Sequence, residues 1–189
     1  MVGNTTRLAR PSSGLTDLSE SLRRRFSICV PLSDDPGRPR ASSSHATRRA
    51  CKLGTVSAER VVVREPTDVM LIRVADNLPE MQRAWASFEA AVGLRGRKFY
   101  GAFDPVTQTY SVCTVRRPGD EPARFGAEHG TLPGGRYACV RLMGEPPAIY
   151  GEIGPTAERL AQRADADPTR PTLEYYRRHD VIDVLVPVV

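Results

Sequence analysis

The chain has no long apolar run, although hydrophobic residues make up 40% of it. No stretch reaches the roughly 18 apolar residues that a membrane-crossing helix needs. Met1 to Leu22 is polar and Ser-rich and lacks the apolar centre of a signal peptide. We therefore expect a cytoplasmic protein without a membrane segment.

Cysteine and histidine are scarce and are not arranged as a metal site. The four cysteines are residues 29, 51, 113 and 139, no CxxC pair occurs, and the three histidines do not cluster near them. This spacing argues against zinc, and we expect neither a metal nor another cofactor. Cys113 and Cys139 lie in apolar, strand-like runs, which favours buried small side chains over a disulfide.

Positive charge is concentrated at the N-terminal end. Residues 1–60 hold 11 Lys and Arg against 5 Asp and Glu, a net +6, whereas residues 61–189 hold 16 against 17, a net −1. The remainder of the chain is thus close to neutral, so nucleic-acid binding is expected only weakly and only through the basic tail.

Residues 1–55 are predicted to be a disordered basic tail rich in Ser, Arg and Pro, because such a composition buries too little apolar surface to offset its ordering entropy. The pattern allows a short helix over Leu15–Phe26 and a brief extended piece over Phe26–Val30. No helix-turn-helix pattern precedes residue 56.

Residues 56–189 are predicted to form one α+β domain of two half-repeats, about 56–120 and 123–189. In the first half, two β-rich runs precede a helical stripe that ends at Gly93, and two further strands follow. The second half repeats this plan, and its stripe has the same spacing. The stripes are Leu78, Met81, Trp85, Phe88 and Val92, then Tyr150, Ile153, Ala157, Leu160 and Ala164.

One residue fits the second helical stripe badly. Pro155 removes a backbone donor and clashes with the preceding turn when it stands inside a helix. A first-turn position suits proline, so the helix is predicted to begin at 154–155, with a kinked helix as the alternative. Strands are predicted over Arg124–Leu132, Tyr137–Met143, Thr172–Tyr176 and Val181–Val188.

In this order and spacing, several short motifs resemble the GyrI-like domain, the effector-binding domain of AraC- and MerR-type regulators. They are the segments 100–105 (YGAFDP), 132–138 (LPGGRYA), 173–176 (LEYY) and 184–188 (VLVPV), with Gly144 at a strand end. The resemblance implies two pseudo-symmetric β-β-α-β-β halves, curved antiparallel sheets, one main helix per half and a central cleft. It leaves residues 1–55 unmatched.

The resemblance also implies a ligand site centred on Glu174. Strand alternation places Glu174 and Tyr176 on one face, and the two residues match the family's Glu-x-Tyr. A carboxylate among aromatic rings suits flat, cationic, apolar ligands. A solvent-facing strand glutamate is the alternative.

Four other aromatic residues are candidates for the same site. Trp85 lies on the apolar stripe of the first helix, where a core position is the alternative to lining the cleft. Phe99, Tyr110 and Tyr137 lie in predicted strands, and the sequence leaves their faces open. His129 and His179 have no nucleophile motif beside them, which favours surface positions over catalytic bases.

Three functions remain open at this point. The leading interpretation is a free-standing binder of a small amphipathic, cationic or aromatic molecule, acting in sensing or sequestration. The second is a hydrolase of strained, cyclopropane-type or activated ligands, with Glu174 as general base and Tyr176 as the polarising group. The third is a protein-interaction module that binds a partner such as DNA gyrase or a transcription regulator.

Overall fold

The structure is a computed structural model that describes residues 55–189. The predicted tail, its possible helix over Leu15–Phe26 and extended piece over Phe26–Val30, and Cys29 and Cys51 lie outside the described residues. Within residues 55–189, nine strands form one antiparallel sheet. The strands are β1 Thr55–Val56, β2 Arg60–Arg64, β3 Thr67–Ala75, β4 Phe99–Asp104, β5 Thr109–Val115, β6 Glu128–Leu132, β7 Gly135–Met143, β8 Thr172–Arg178 and β9 Val181–Pro187.

The helices of residues 55–189 lie between strands. They are α1 Leu78–Val92, α2 Ala148–Gly151 and α3 Ile153–Ala161, and a 3-10 turn lies at Pro122–Phe125. In the described part of the chain, no helix is both long and apolar enough to cross a membrane.

Helix α1 forms where the apolar stripe predicts it. The Asn77 side chain caps it by accepting the Glu80 backbone N–H at 3.1 Å, and Glu80 accepts the Ala75 N–H in return. Gly93 ends the helix with φ 73°, a backbone conformation that disfavours other residues. The buried face of α1 packs on β3, β4 and β5, in a core that includes Met70, Phe88 and Val112.

The second helical stripe is not one helix, which corrects the sequence prediction. It is divided at Glu152 into α2 and α3, and Ala164 lies beyond the end of α3. Pro155 is the third residue of α3. A backbone N–H at this position has no acceptor within the helix, so proline, which lacks the N–H, costs no hydrogen bond there. The expected first-turn position is therefore confirmed, although the helix begins at Ile153. Both helices pack on β7 and β9.

Strands from the first and second halves of the described sequence are interleaved in the sheet. The strand order is β1-β7-β9-β8-β4-β5-β3-β6, and β2 also pairs with β7. Thus β2, from the first half of the sequence, extends the strands of the second half, and β6 extends those of the first. The sheet is continuous because β4 and β8 pair at its centre, with Gly101 opposite Glu174. The predicted strand over 124–132 is wrong at its start: the 3-10 turn and Gly126, at φ 64°, leave only Glu128–Leu132 in β6.

A third core cluster lies on the face of the sheet opposite the helices. It contains Tyr100, Cys113, Tyr137, Cys139 and Leu173, all nearly inaccessible to solvent. Cys113 and Cys139 are buried and free, as the sequence predicts. Burial raises the pKa of the Cys113 thiol to about 12, so this side chain behaves as an inert apolar group.

Candidate functional site

Glu174 lies at the centre of the sheet, on the face that carries the helices. Its neighbours in register are Gly101 on β4 and Val184 on β9. Val184 belongs to the core under α2 and α3, and Phe103, two residues beyond Gly101, belongs to the core under α1. Glu174 therefore stands between the two helix-covered parts of the sheet. Only 4% of the residue is exposed.

Two tyrosine hydroxyls donate hydrogen bonds to the same oxygen of Glu174. The Tyr110 hydroxyl lies 2.7 Å from Oε2, and the Tyr176 hydroxyl lies 2.9 Å from it. A buried carboxylate is costly unless it is hydrogen-bonded, and these donors stabilise its charged form. We call Glu174, Tyr110, Tyr176, Trp85 and Phe99 the Glu174 site.

Tyr176 acts as a donor in this arrangement. Burial raises its pKa well above the ordinary value of 10, and the nearby Glu174 charge raises it further. Its hydroxyl therefore stays protonated at neutral pH and can only donate to the carboxylate. The Tyr176 ring also packs against the α2–α3 core, and so it links the two helix-covered parts of the sheet.

Aromatic rings pack against Tyr176, one of the two donors to the carboxylate. The Trp85 ring on α1 meets the Tyr176 ring edge-on at 4.8 Å between centroids, and it lies 6.1 Å from the Phe99 ring. Trp85 and Tyr176 are partly exposed, whereas Phe99 is buried. Together they form an electron-rich surface that suits a cation.

Gly101 makes room for the hydrogen bonds. A Cβ at this position would stand 2.0 Å from the Tyr110 hydroxyl oxygen and 2.5 Å from Glu174 Oε2. No other residue fits there without displacing one of the two groups. Gly101 was noticed in the sequence only as part of a family motif, because its contacts depend on strands far apart in the chain.

Tyr137 does not join the other candidates. Tyr137 and Cys139 are two residues apart on β7, so their side chains lie on the same face of the sheet. Cys139 pairs with Leu185 on β9, and all three belong to the core cluster on the face opposite Glu174. Its hydroxyl donates to the Pro133 carbonyl at 2.8 Å, and its ring lies 5.2 Å from the Arg170 guanidinium. Its tie to the turn at 133–135 gives it a structural role, and we leave it out of the site.

Other features of the described residues lie apart from Glu174. His129 and His179 are exposed; His129 contacts Asp68, which also binds Arg116. Beside His129 is a hollow of about 520 Å³, lined by Arg116, Asp120, Glu121, Pro122, Ala123 and His129. Among residues 55–189, no three His, Cys, Asp or Glu side chains are grouped so that they could hold a metal ion.

Comparison with solved structures identifies proteins that are similar to this chain in structure. An integron cassette protein from the mobile metagenome of Vibrio cholerae is 12% identical, with a TM-score of 0.58, over 72% of this chain and 99% of that one. A structure of SAV2435 bound to tetraphenylphosphonium is 14% identical (TM-score 0.49, 70% and 94% covered). A putative transcription regulation protein from Staphylococcus aureus is 12% identical (TM-score 0.48, 69% and 97% covered).

Sequence comparison adds no family assignment. No protein-family model matches the chain, and no curated protein matches it. At these levels of identity the structural likeness shows the fold alone, so function has to be argued from the site.

Proposed function

We propose that this chain is a small-molecule-binding protein of the GyrI-like type that takes lipophilic organic cations, with Glu174 as their counter-charge. The observation that carries the proposal is a carboxylate only 4% exposed and hydrogen-bonded by two tyrosines, one of which packs against the Trp85 ring. An isolated core has little use for such a group, since an apolar side chain of similar size is cheaper to bury.

The ligand is aromatic as well as cationic, and it enters between α1 and α2. Because Glu174 is covered, the ligand reaches it by displacing the partly exposed rings of Trp85 and Tyr176. Those rings then stack on the ligand and add cation–π attraction of about 0.5–2 kcal/mol. The site lies wholly within residues 56–189, so the N-terminal segment is not needed for binding.

Binding is favoured over the hydrolase alternative by the two hydrogen bonds that Glu174 Oε2 accepts. A general base needs a lone pair aimed at the proton that it removes, whereas Oε2 already accepts two hydroxyl protons. The chemistry that this geometry supports best is the stabilisation of a fixed positive charge. Release of product from an activated ester or strained ring by the wild-type chain, abolished in Glu174→Gln, would favour the hydrolase instead.

Titration with ions of one shape and opposite charge tests the proposal. Trp85 is the only tryptophan in the chain, so its fluorescence reports on this site directly. We expect tetraphenylphosphonium to change that fluorescence saturably, and the tetraphenylborate anion to bind far more weakly. Glu174→Gln should weaken phosphonium binding by about 1–3 kcal/mol, the range for a lost charge-assisted contact.

Asp183→Asn is the matched control. Asp183 is also buried, but it faces the other side of the sheet and accepts hydrogen bonds from Arg141 and Arg177. The substitution should lower stability and leave phosphonium affinity unchanged. Equal affinity for the cation and the anion, in both the wild-type chain and Glu174→Gln, would contradict the proposal.

A further inference from the structure

The first two strands leave one edge of the sheet open. Both β1 and β2 pair with β7, and within residues 55–189 no strand pairs with their outer side. An edge strand presents unpaired backbone N–H and C=O groups, and proteins usually protect such an edge with charge, proline or a covering segment. The three consecutive valines at 61–63 favour extended backbone, so β2 is a suitable template for another strand.

One side of this edge is a row of exposed valines. Val56 lies opposite Leu142 on β7 and Val61 lies opposite Ala138, and both of these β7 residues belong to the core under α2 and α3. Directly opposed residues of an antiparallel pair share a face, so Val56, Val61 and, by alternation, Val63 lie on the helix-covered face. Their exposed fractions are 45%, 44% and 75%, so much of this apolar row is open to solvent.

The other side of the same edge is basic. Arg60 and Arg64 stand at the two ends of β2 and alternate with the exposed valines, so they lie on the face opposite the helices. Arg64 donates a hydrogen bond to the Tyr100 hydroxyl at 2.8 Å, which is an uncharged acceptor. Arg60 is exposed. Within the described part of the chain, neither guanidinium is paired with a carboxylate.

These charges determine which strand the edge can take. If the β2 strands of two copies paired fully and antiparallel, Arg60 of each would lie against Arg64 of the other, and like charges directly opposite are destabilising. Residues 1–54, which lead into β1, hold 10 Lys and Arg against 4 Asp and Glu, so they are repelled as well. An acidic strand is attracted instead.

We propose that the outer edge of β2 is a docking site for an extended acidic peptide of another protein, which adds a strand to the sheet. Its acidic side chains lie beside Arg60 and Arg64, and the apolar side chains that alternate with them lie beside Val61 and Val63. Backbone hydrogen bonds supply the affinity, and the two-sided alternation supplies the specificity. The inference is independent of the proposed function, because Glu174 lies where β4 pairs with β8, away from this edge.

Two peptides of the same composition test the proposal. The ligand is a fluorescein-labelled peptide with the central sequence Glu-Val-Thr-Val-Glu, which has the required alternation in either chain direction. Its control is Val-Glu-Thr-Glu-Val, which turns the acids toward the valine row. Fluorescence anisotropy on the full chain should show saturable binding of the first peptide, roughly tenfold tighter than that of the control, because the control loses two ion pairs.

Arg60→Glu tests the basic side of the edge. Since this side chain is exposed, the melting temperature should stay unchanged. Affinity for the acidic peptide should fall roughly tenfold, because a repulsion replaces an attraction. Arg95→Glu makes the same change of charge in the exposed loop after α1 and should leave the affinity unchanged.

Val63→Thr tests the apolar side. Threonine keeps a β-branched side chain of similar size, so the strand should persist, whereas the lost apolar contact should weaken peptide binding roughly threefold. None of the three substitutions should alter tetraphenylphosphonium affinity, because all lie outside the Glu174 site.

The remaining outcomes overturn the proposal. Absence of binding, equal affinity for the two peptides, or an equal loss in Arg60→Glu and Arg95→Glu would exclude strand pairing by an acidic peptide. A dimer that Arg60→Glu strengthens in sedimentation identifies a second copy as the occupant, because the new carboxylate would face Arg64 of the other chain. Protection of β2 together with a segment of residues 1–54 from hydrogen exchange, before any peptide is added, identifies the chain's own N-terminal part.

Discussion

At the scale of single residues, Gly101 limits the packing around Glu174 most tightly. We predict that Gly101→Ala separates the Tyr110 hydroxyl from Glu174, because the added Cβ would occupy the space of both groups. The free energy of unfolding should fall by about 1–3 kcal/mol, the usual cost of overpacking, and phosphonium affinity should fall with it. Urea denaturation followed by circular dichroism measures the first effect.

Gly151→Ala serves as the control for this substitution. A Cβ on Gly151, at the end of α2, meets no atom within 4 Å. Because alanine is the better helix former by about 1 kcal/mol, this variant should be as stable as the wild type or slightly more so. A Gly101→Ala protein of wild-type stability would show that the strands shift easily and that the close approach is unimportant.

The sequence predicts the direction of a side chain where strand alternation fixes it. Alternation places Glu174 and Tyr176 on one face of their strand, and the hydrogen bond between the two side chains agrees with that. It could not orient Tyr110 or Tyr137, since either face of an apolar strand can be buried.

At the scale of elements, an ion pair fixes the end of α1. Arg97, just after the helix, donates two hydrogen bonds to Asp120, at 2.7 and 2.9 Å, and both side chains are at least nine-tenths buried. These bonds hold the pKa of Asp120 at about 2. The pair ties the helix that carries Trp85 to the loop that follows β5.

We predict that Asp120→Asn destabilises the protein by about 2 kcal/mol, the effect of losing a hydrogen-bonded charge partner. Asp68→Asn is the comparison, because the Asp68–Arg116 pair is about half exposed and such pairs contribute about 0–1 kcal/mol. Chemical denaturation measures both. If the two variants lose the same stability, the Arg97 pair does not anchor α1.

The sequence predicts the helices and strands that depend on residues close together in the chain. It does not predict features that depend on pairing with segments far away in the chain. The α1 stripe, its end at Gly93 and most strands follow from residues close together in the sequence. The pairing of β2 with β7 joins segments about 75 residues apart, and no local pattern specifies it. The break between α2 and α3 was signalled only by Pro155, which allowed more than one structure.

At the scale of the whole molecule, the carboxylates determine stability in acid. Hydrogen bonds from Thr169 and Arg170 hold the pKa of Asp167 at about 2, the value that Asp120 also has. For Asp183, burial alone would raise the pKa, but hydrogen bonds from Arg141 and Arg177 outweigh it and lower the pKa. All three groups favour the folded state while they are charged.

We therefore predict that stability falls steeply below pH 4. A carboxylate with a depressed pKa contributes fully above its unfolded value, 3.8 for Asp, and the contribution is lost as the pH falls through the folded value near 2. Melting temperatures measured by circular dichroism from pH 7 to pH 2 test this. Asp120→Asn should flatten the curve below pH 4, and an unchanged slope would contradict the assignment.

The interleaved strands have a consequence for how the chain folds. Each half of the sequence holds strands that the other half needs: β2 completes the strands beside β7, and β6 completes those beside β3. Neither half can finish its hydrogen-bond ladder alone, so the rate-limiting step has to close loops that span much of the domain, and folding should be slow for its size. Glu174 and Gly101 meet only where β4 pairs with β8, so the site cannot form before the two halves have joined.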